Sequence, residues 1–455
     1  MVHPPVTTVD RAGRRRRQVR RRSEGRRFRQ LRTGAHRTGR SAVSRFPEAP
    51  LGRPLTFGPA AGWSRWNAAT SSARGLKILL SCGEASGDLY AGALVEALRR
   101  RDPDIQVFGL GGAKFAAAGG ELIEDFHGLS VTGLVEALKV VPRSLKTLRK
   151  LVRSAQERTP DALVLIDYPD FNFFLMRRIK RLGIPVIYYV TPQLWAWRPR
   201  RIAGMKRNVD RVLPIFPFEA AWYQRHGIDV RFVGHPLIDL ARPKQSREAF
   251  LQGLKLDPAR RVMALLPGSR TNELERLAPV MAQALPAIAA QVPGVQFIVA
   301  RAPNLQDRLF EPFGLANIIL RIVDAQTDDV LNASDAVVTA SGTATVQTAM
   351  HGKPMVVLYK LSPTSYRMGI RFLQVDMYAM VNLIAGRRVV VELIQEACTP
   401  EAVSAEAVRI MHDRPYRDEM TAALDEVRRQ LGGPGASDRA ADAVLDVVHS
   451  RHGAL

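Results

Sequence analysis

From Leu76 onward the chain alternates apolar runs too short for helices with amphipathic stretches, and no other feature constrains its fold as strongly. This is the pattern of β-α-β units around a parallel sheet: buried parallel strands read as unbroken apolar runs, and crossover helices carry one apolar stripe. The first strand is predicted at Leu76 to Ser81, and Leu89, Ala93, Leu94 and Ala97 stripe the helix after it. Val107 to Leu110 continues the series. Leu145, Leu148, Leu151, Val152 and Ala155 mark another helix, and strands are expected at Ala162 to Ile166, Pro185 to Val190 (after a Gly183 helix stop), Val212 to Phe216 and Val230 to Val233. Between Asp239 and Arg260 the chain turns charged and helical, with Arg242-Pro243-Lys244-Gln245-Ser246 as a linker. The alternation then restarts, with strands expected at Val262 to Leu266, Val295 to Ala300, Ile318 to Val323, Ala336 to Thr339 and Met355 to Leu358. Two doubly wound halves, 75–238 and 239–415, should face each other across a cleft, and such sheets take ligands beyond the carboxyl ends of their strands.

The formal net charge of +23 reads as a nucleic-acid signal until it is divided along the chain. Residues 1–74 hold 18 arginines against Asp10, Glu24 and Glu48. Roughly +15 therefore belongs to this extension and roughly +8 to everything after it. The extension has no hydrophobic period, so disorder is the expectation, and it lacks the apolar core of a secretory signal. Three readings stay open for it: an organelle-targeting peptide, a phosphate- or lipid-binding arm, and a start codon placed too far upstream, the last being preferred. Cys82 and Cys398 are too far apart in sequence to suggest a disulfide framework or a metal knuckle, which makes a reducing cytosol the simplest setting. No apolar run reaches the length of about 18 residues needed to span a bilayer. The chain can still lie against one.

The motifs fall at the expected strand ends. Gly83-Glu84-Ala85-Ser86-Gly87-Asp88 follows the first strand, and Glu84, Ser86 and Asp88 offer acceptors for hydroxyls rather than a cradle for phosphate. The alternative is a helix N-terminus capped by Ser86 or Asp88. Asp167-Tyr168-Pro169-Asp170 follows Ile166; Asp170 sits where an N-cap belongs, which leaves Asp167 either as a general base for an attacking alcohol or as a turn-stabilising acceptor. Trp195, Trp197 and Arg198 form an aromatic and cationic loop that suits a sugar, an acyl chain or simple packing. His235, before Pro236, reads as a turn residue rather than a catalyst.

In the second half, Leu266-Pro267-Gly268-Ser269-Arg270 joins a strand to a helix opening with Glu273, and Ala340-Ser341-Gly342-Thr343-Ala344 repeats the plan. Such turns aim free N–H groups and a positive dipole end at one spot. Paired, with Arg270 between them, they suit a nucleoside diphosphate held without a metal. No Lys-bearing P-loop and no His/Cys cluster of metal spacing occurs, so no metal and no cofactor are expected. Phe173 to Arg181 and Tyr366 to Leu373 mix apolar with basic residues, which fits either an anionic membrane surface or, for the first, a buried helix with solvated cations.

Together these motifs, with Asn382-Leu383-Ile384-Ala385-Gly386, resemble the lipid-A-disaccharide synthase family of GT-B glycosyltransferases, in order and from about Leu76 to near the C-terminus. The resemblance implies two Rossmann-like domains, UDP-sugar in the second, acceptor in the first, and a C-terminal segment, 416–455, packing back on the first. It implies inverting transfer from UDP-2,3-diacylglucosamine to 2,3-diacylglucosamine 1-phosphate at the cytoplasmic face of the inner membrane. Asp167 would be the base. Gly268, Ser269, Arg270, Glu273, Ser341, Gly342, Thr343, Ala344, Gln347 and Asn382 would hold the nucleotide-sugar, and Glu84, Ser86, Asp88, Trp195, Trp197 and Arg198 the acceptor. Lipid-linked sugars and a peripheral membrane contact are the implied partners, with no nucleic acid and a homodimer left open. Gln347 stands where the family usually has Glu and Val381 where Pro commonly precedes Asn382, so weaker donor binding is expected. The alternatives are a UDP-sugar 2-epimerase of the same plan and a nucleic-acid-binding protein led by the arginine-rich arm.

Overall fold

The computed structural model describes residues 75–127, 129, 134–303, 305–315, 318–362 and 376–452. The extension 1–74, expected to be disordered, and the amphipathic segment 366–373 lie outside them. Strands β1 Lys77–Cys82, β2 Gln106–Gly111, β3 Glu121–Asp125, β4 Ala162–Ile166, β5 Val186–Tyr189 and β6 Arg211–Leu213 form one parallel sheet, ordered β3-β2-β1-β4-β5-β6. Strands β7 Val262–Leu266, β8 Gln296–Arg301, β9 Leu320–Asp324, β10 Ala336–Ala340, β11 Met355–Tyr359 and β12 Val391–Ile394 form a second, ordered β12-β11-β10-β7-β8-β9. Counted from its own first strand, each sheet has the same order, and each reverses direction between its first and fourth strands. That reversal opens a crevice at the strands' carboxyl ends. Cys82 is in register with Ile166 there, and Leu266 with Thr339.

Alternation along β1 explains the layers. Ile78, Leu80 and Cys82 join the core containing Tyr90, Ala91, Leu94 and Leu98 of helix Ala85–Arg101. Leu79 joins the opposite core with Leu148, Leu151, Leu175 and Ile179 from helices Leu134–Arg158 and Pro169–Arg181. All are buried, each contributing about 1.5–3 kcal/mol of apolar transfer for the larger side chains.

Helix Ala85–Arg101 ends in three arginines, and Arg100 and Arg101 each reach Asp438 at 2.8 Å in helix Ala436–His452. That last helix packs on helix Ala85–Arg101, β4 and β6. Helix Arg414–Gln430 instead packs on helices Thr343–Met350 and Met380–Ala385 of the second half. The returning segment is therefore shorter than the expected 416–455.

Three strand expectations change. Val230 to Val233 is not a strand: only Val230 bridges, to Val212, while the Val233 carbonyl accepts from Arg439 and the His235 N–H donates to Leu431. β3 and β12 were not foreseen, because short edge strands interrupted by acids look like surface. The linker 242–246 is irregular as expected, and Ser246 caps helix Arg247–Gly253.

Candidate active site

The four chemistry-bearing turns sit at the two crevices, at the ends of β1 and β4 in the first sheet and of β7 and β10 in the second. Asp167 ends β4 in a left-handed conformation (φ 47°), and Tyr168 follows in the same region (φ 48°). Two consecutive non-glycine residues there are strained, so the surroundings must hold them. The Asp167 carbonyl accepts from Asn172 Nδ2 at 2.7 Å and from the Tyr188 hydroxyl at 2.8 Å, and its N–H donates to Val190 at 3.1 Å. Asn172, fully buried, also accepts from the Ser81 hydroxyl at 2.7 Å and so ties β4's end to β1. The backbone is pinned and the carboxylate is left to the cleft.

Burial raises the Asp167 pKa to about 7; Glu84 adds to the rise and Arg270 opposes it. Arg270 donates through Nη2 to Glu84 at 2.6 Å and through Nη1 to Glu273 at 2.8 Å. Glu84, Asp167, Arg270 and Glu273 therefore form one electrostatic cluster drawn from both halves. Burial works against the Arg270 charge, and the two glutamates more than offset it.

On the second wall, Gly268 (φ 119°) and Gly342 (φ 145°) hold conformations that side chains avoid. A Cβ on Gly268 would also come within 2.6 Å of the Glu273 carboxylate. Glu273 accepts from the Ser269 N–H at 3.2 Å, so it shapes the turn as well as holding Arg270. Ser341 gives its N–H to Leu358 and its hydroxyl to Tyr378 at 2.8 Å, so it shapes the second turn rather than offering donors to a ligand. Thr343 and Ala344 open helix Thr343–Met350, and their first-turn N–H groups have no acceptor within it.

Several assignments made from sequence are corrected by the geometry. Asp170 is not the N-cap: Tyr168 holds that position, Pro169 begins the helix, and Asp170 pairs with Arg198 at 2.8 Å and Arg201 at 2.9 Å. Neither Ser86 nor Asp88 caps its own helix, whose N-cap is Glu84. Asp88 is buried and accepts from the N–H groups of Gly112, Lys114 and Phe115, capping the next helix, Ala113–Ala117, instead of binding a hydroxyl. Trp195 is buried against Phe218, and its indole N–H donates to Glu219 at 3.1 Å, so it packs the loop rather than offering a face to sugar. Asn382 is fully buried with both amide atoms bonded, to Val389, Val390 and Glu392, and organises the β12 approach. Gln347 donates to Asp328 at 2.8 Å, which a glutamate would repel, and His351 shares that acceptor. Val381 is a buried core residue. Ser86 is half-buried and Arg198 exposed near the cleft-side loops, and the Trp197 side chain lies outside the described residues.

His235 is structural, as expected: it is buried between Tyr90 and Phe216, accepts from the Leu237 N–H, and burial lowers its pKa to about 3. Asn172, Tyr188 and Glu219 were missed. Glu219, buried in the first turn of helix Pro217–Arg225, accepts from Thr191 at 3.0 Å and from Trp195; burial raises it to about 8 against those bonds. An acid inside the apolar run from Phe216 to Trp222, and an Asn between Phe171 and Phe173, are the signals that could have found two of them.

The model of the lipid-A-disaccharide synthetase family matches residues 78–447. The chain belongs to the lipid-A-disaccharide synthase family. Relatives in this synthase family include those of Myxococcus xanthus, 42% identical over 82% of this chain and 97% of the relative, and Anaeromyxobacter dehalogenans, 44% identical over the same shares. Solved structures similar to it include the calicheamicin glycosyltransferase CalG4 (TM-score 0.54, 16% identity, 83% of this chain and 99% of that one). Another is the UDP-GlcNAc 2-epimerase of Neisseria meningitidis bound to UDP-GlcNAc (TM-score 0.56, 12% identity, 82% and 99%). At such identities these share the fold alone, the GT-B arrangement of two parallel six-stranded sheets.

Proposed function

We propose that this chain transfers a 2,3-diacylglucosamine unit from UDP to the 6-hydroxyl of 2,3-diacylglucosamine 1-phosphate, giving the β-1,6 lipid A disaccharide 1-phosphate and UDP with inversion. The observation that carries the mechanism is the placement of Asp167: a carboxylate on a pinned backbone at the first crevice, in electrostatic contact with the arginine of the opposite wall. Asp167 takes the proton of the acceptor hydroxyl as that oxygen attacks the anomeric carbon. The bond from that carbon to the diphosphate breaks, and the departing charge is met by Arg270 and by the N–H groups opening the Gly268 and Gly342 helices rather than by a metal. Glu273 and Ser341 keep those turns in shape. The epimerase reading rests on shared fold alone.

The acyl chains place the reaction at a bilayer. Among the described residues no helix is long and apolar enough to cross one. Helix Pro169–Arg181 buries Phe173, Leu175, Met176 and Ile179 and exposes Phe174, Arg177, Arg178 and Arg181 on one stripe, which suits contact with anionic headgroups at the cytoplasmic face. Incubating purified protein with UDP-2,3-diacylglucosamine, with and without the monosaccharide phosphate, tests the reaction. UDP release that depends on the acceptor is expected. Release of equal rate without it removes the transferase reading.

A further inference from the structure

Helix Pro169–Arg181 has 13 residues and is about 20 Å long, so Arg181, its last residue, lies far from Asp167, which precedes its start. At that far end, against helix Ile202–Asn208, is a cavity of about 290 Å³ lined by Arg177, Arg181, Arg207 and Asn208. Its floor is built in. Phe173, Met176, Ile179 and Met205 share one buried core beneath the two helices. Gly204 brings the Arg177 guanidinium over the second helix: a Cβ there would stand 3.5 Å from the Phe173 ring and 3.7 Å from an Arg177 nitrogen.

Nearby cations are neutralised from within the protein, Lys180 by Asp210 at 2.5 Å and Arg201 by Asp170 at 2.9 Å. Among the described residues no carboxylate pairs with Arg177, Arg181 or Arg207. Arg177 and Arg181 are also one helical turn apart, a spacing at which like charges repel. Three guanidiniums that line one hollow without an internal counter-ion call for an anion from outside, and the donor fork of each matches phosphate oxygens. The rim distinguishes one source of phosphate from another. Phe174, 55% exposed, stands one turn before Arg177 and Arg178 on the same face, and Leu182, 40% exposed, follows Arg181. A soluble phosphate has no use for bare apolar side chains beside the charge, whereas a phospholipid offers a phosphate and, next to it, the start of its acyl region. We propose that Arg177, Arg181 and Arg207, with Asn208, bind the headgroup phosphate of one anionic phospholipid at a site separate from the sugar-transfer cleft. The bound lipid fixes how that cleft stands on the bilayer, and this rests on the reading that the face of helix Pro169–Arg181 meets a membrane.

The test is co-sedimentation of the full chain with phosphatidylcholine vesicles, with and without phosphatidylglycerol. Two variants accompany it: Arg177→Ala/Arg181→Ala/Arg207→Ala, and Arg178→Ala/Arg200→Ala/Lys206→Ala, which removes the same charge from exposed positions outside the cavity. The native chain should bind only the vesicles that hold phosphatidylglycerol. The cavity variant should bind them about a hundredfold less well, and the second variant at most about tenfold less well, its cations acting through the surface potential alone. With substrates dispersed in detergent the cavity variant should keep its turnover, and with vesicle-borne substrates its KM should rise. Equal losses of binding in the two variants overturn the site and leave the membrane reading standing. Loss of turnover in detergent overturns it too, because the arginines would then belong to the transfer site. A native chain that stays off phosphatidylglycerol vesicles removes the membrane reading and the lipid site together, and calorimetric uptake of inorganic phosphate by that chain would assign the cavity to a soluble anion instead.

Discussion

Asn172 carries no chemistry of its own, yet it ties the Asp167 turn to the end of β1. Its amide holds the Asp167 carbonyl and accepts from Ser81, so the strained turn after β4 is fixed against β1. Asn172→Ala should lower kcat about tenfold to hundredfold by letting Asp167 drift, with UDP affinity retained in calorimetry. The Tyr188 hydroxyl is the second clamp and cannot replace the first, because it reaches only the Asp167 carbonyl. Glu219 acts on stability. Folding raises its pKa from the ordinary 4.5 to about 8, so its contribution is complete below about pH 4.5 and is lost as the pH climbs toward 8. Glu219→Gln has no proton to lose. The melting temperature of the variant minus that of the native chain should therefore grow between pH 5 and 8, and a constant difference would show that Glu219 does not titrate across that range.

At the scale of elements, the sequence disclosed the central strands and obscured the margins. β4 and β7 are unbroken apolar runs, and β1 and β10 nearly so, because both of their faces are covered, and their ends carry the turns that matter. β3, with acids at Glu121, Glu124 and Asp125, and β12 sit at sheet edges where one side meets solvent, so their runs resemble loops. Strand-end turns were legible in the same way, and Glu84, Asp167 and Arg270 come together as a reading of two facing crevices requires. What sequence could not disclose is which polar side chains are consumed by the protein itself. Asp88, Trp195, Ser341 and Asn382 spend their hydrogen bonds on helix ends and loops that only the folded chain brings near. The contact between helices Ala85–Arg101 and Ala436–His452 separates apolar from ionic contributions. Leu94→Ala should cost about 2–5 kcal/mol in urea unfolding. Arg101→Ala, removing part-exposed ion pairs with Asp438 and Asp442, should cost at most about 1 kcal/mol.

The described residues form two sheets of one order that meet at their crevices, with Arg270 on one side and Glu84 and Asp167 on the other. The arginine-rich residues 1–74 precede the family match that begins at residue 78, so a chain starting at Gly75 should keep the acceptor-dependent activity. Loss of that activity would give the extension a part in the reaction. If Arg270 and the helix N-termini neutralise the leaving charge as proposed, turnover in excess EDTA stays within about twofold of the untreated rate. The most direct measurement pairs UDP calorimetry with acceptor-dependent turnover for Asp167→Asn, across pH 5 to 9. A base at Asp167 requires UDP affinity close to the native value, turnover lower by about 10²- to 10⁴-fold, and loss of the acidic limb expected of the native chain near pH 7. Turnover within severalfold of native, or an acidic limb that survives the substitution, would contradict it.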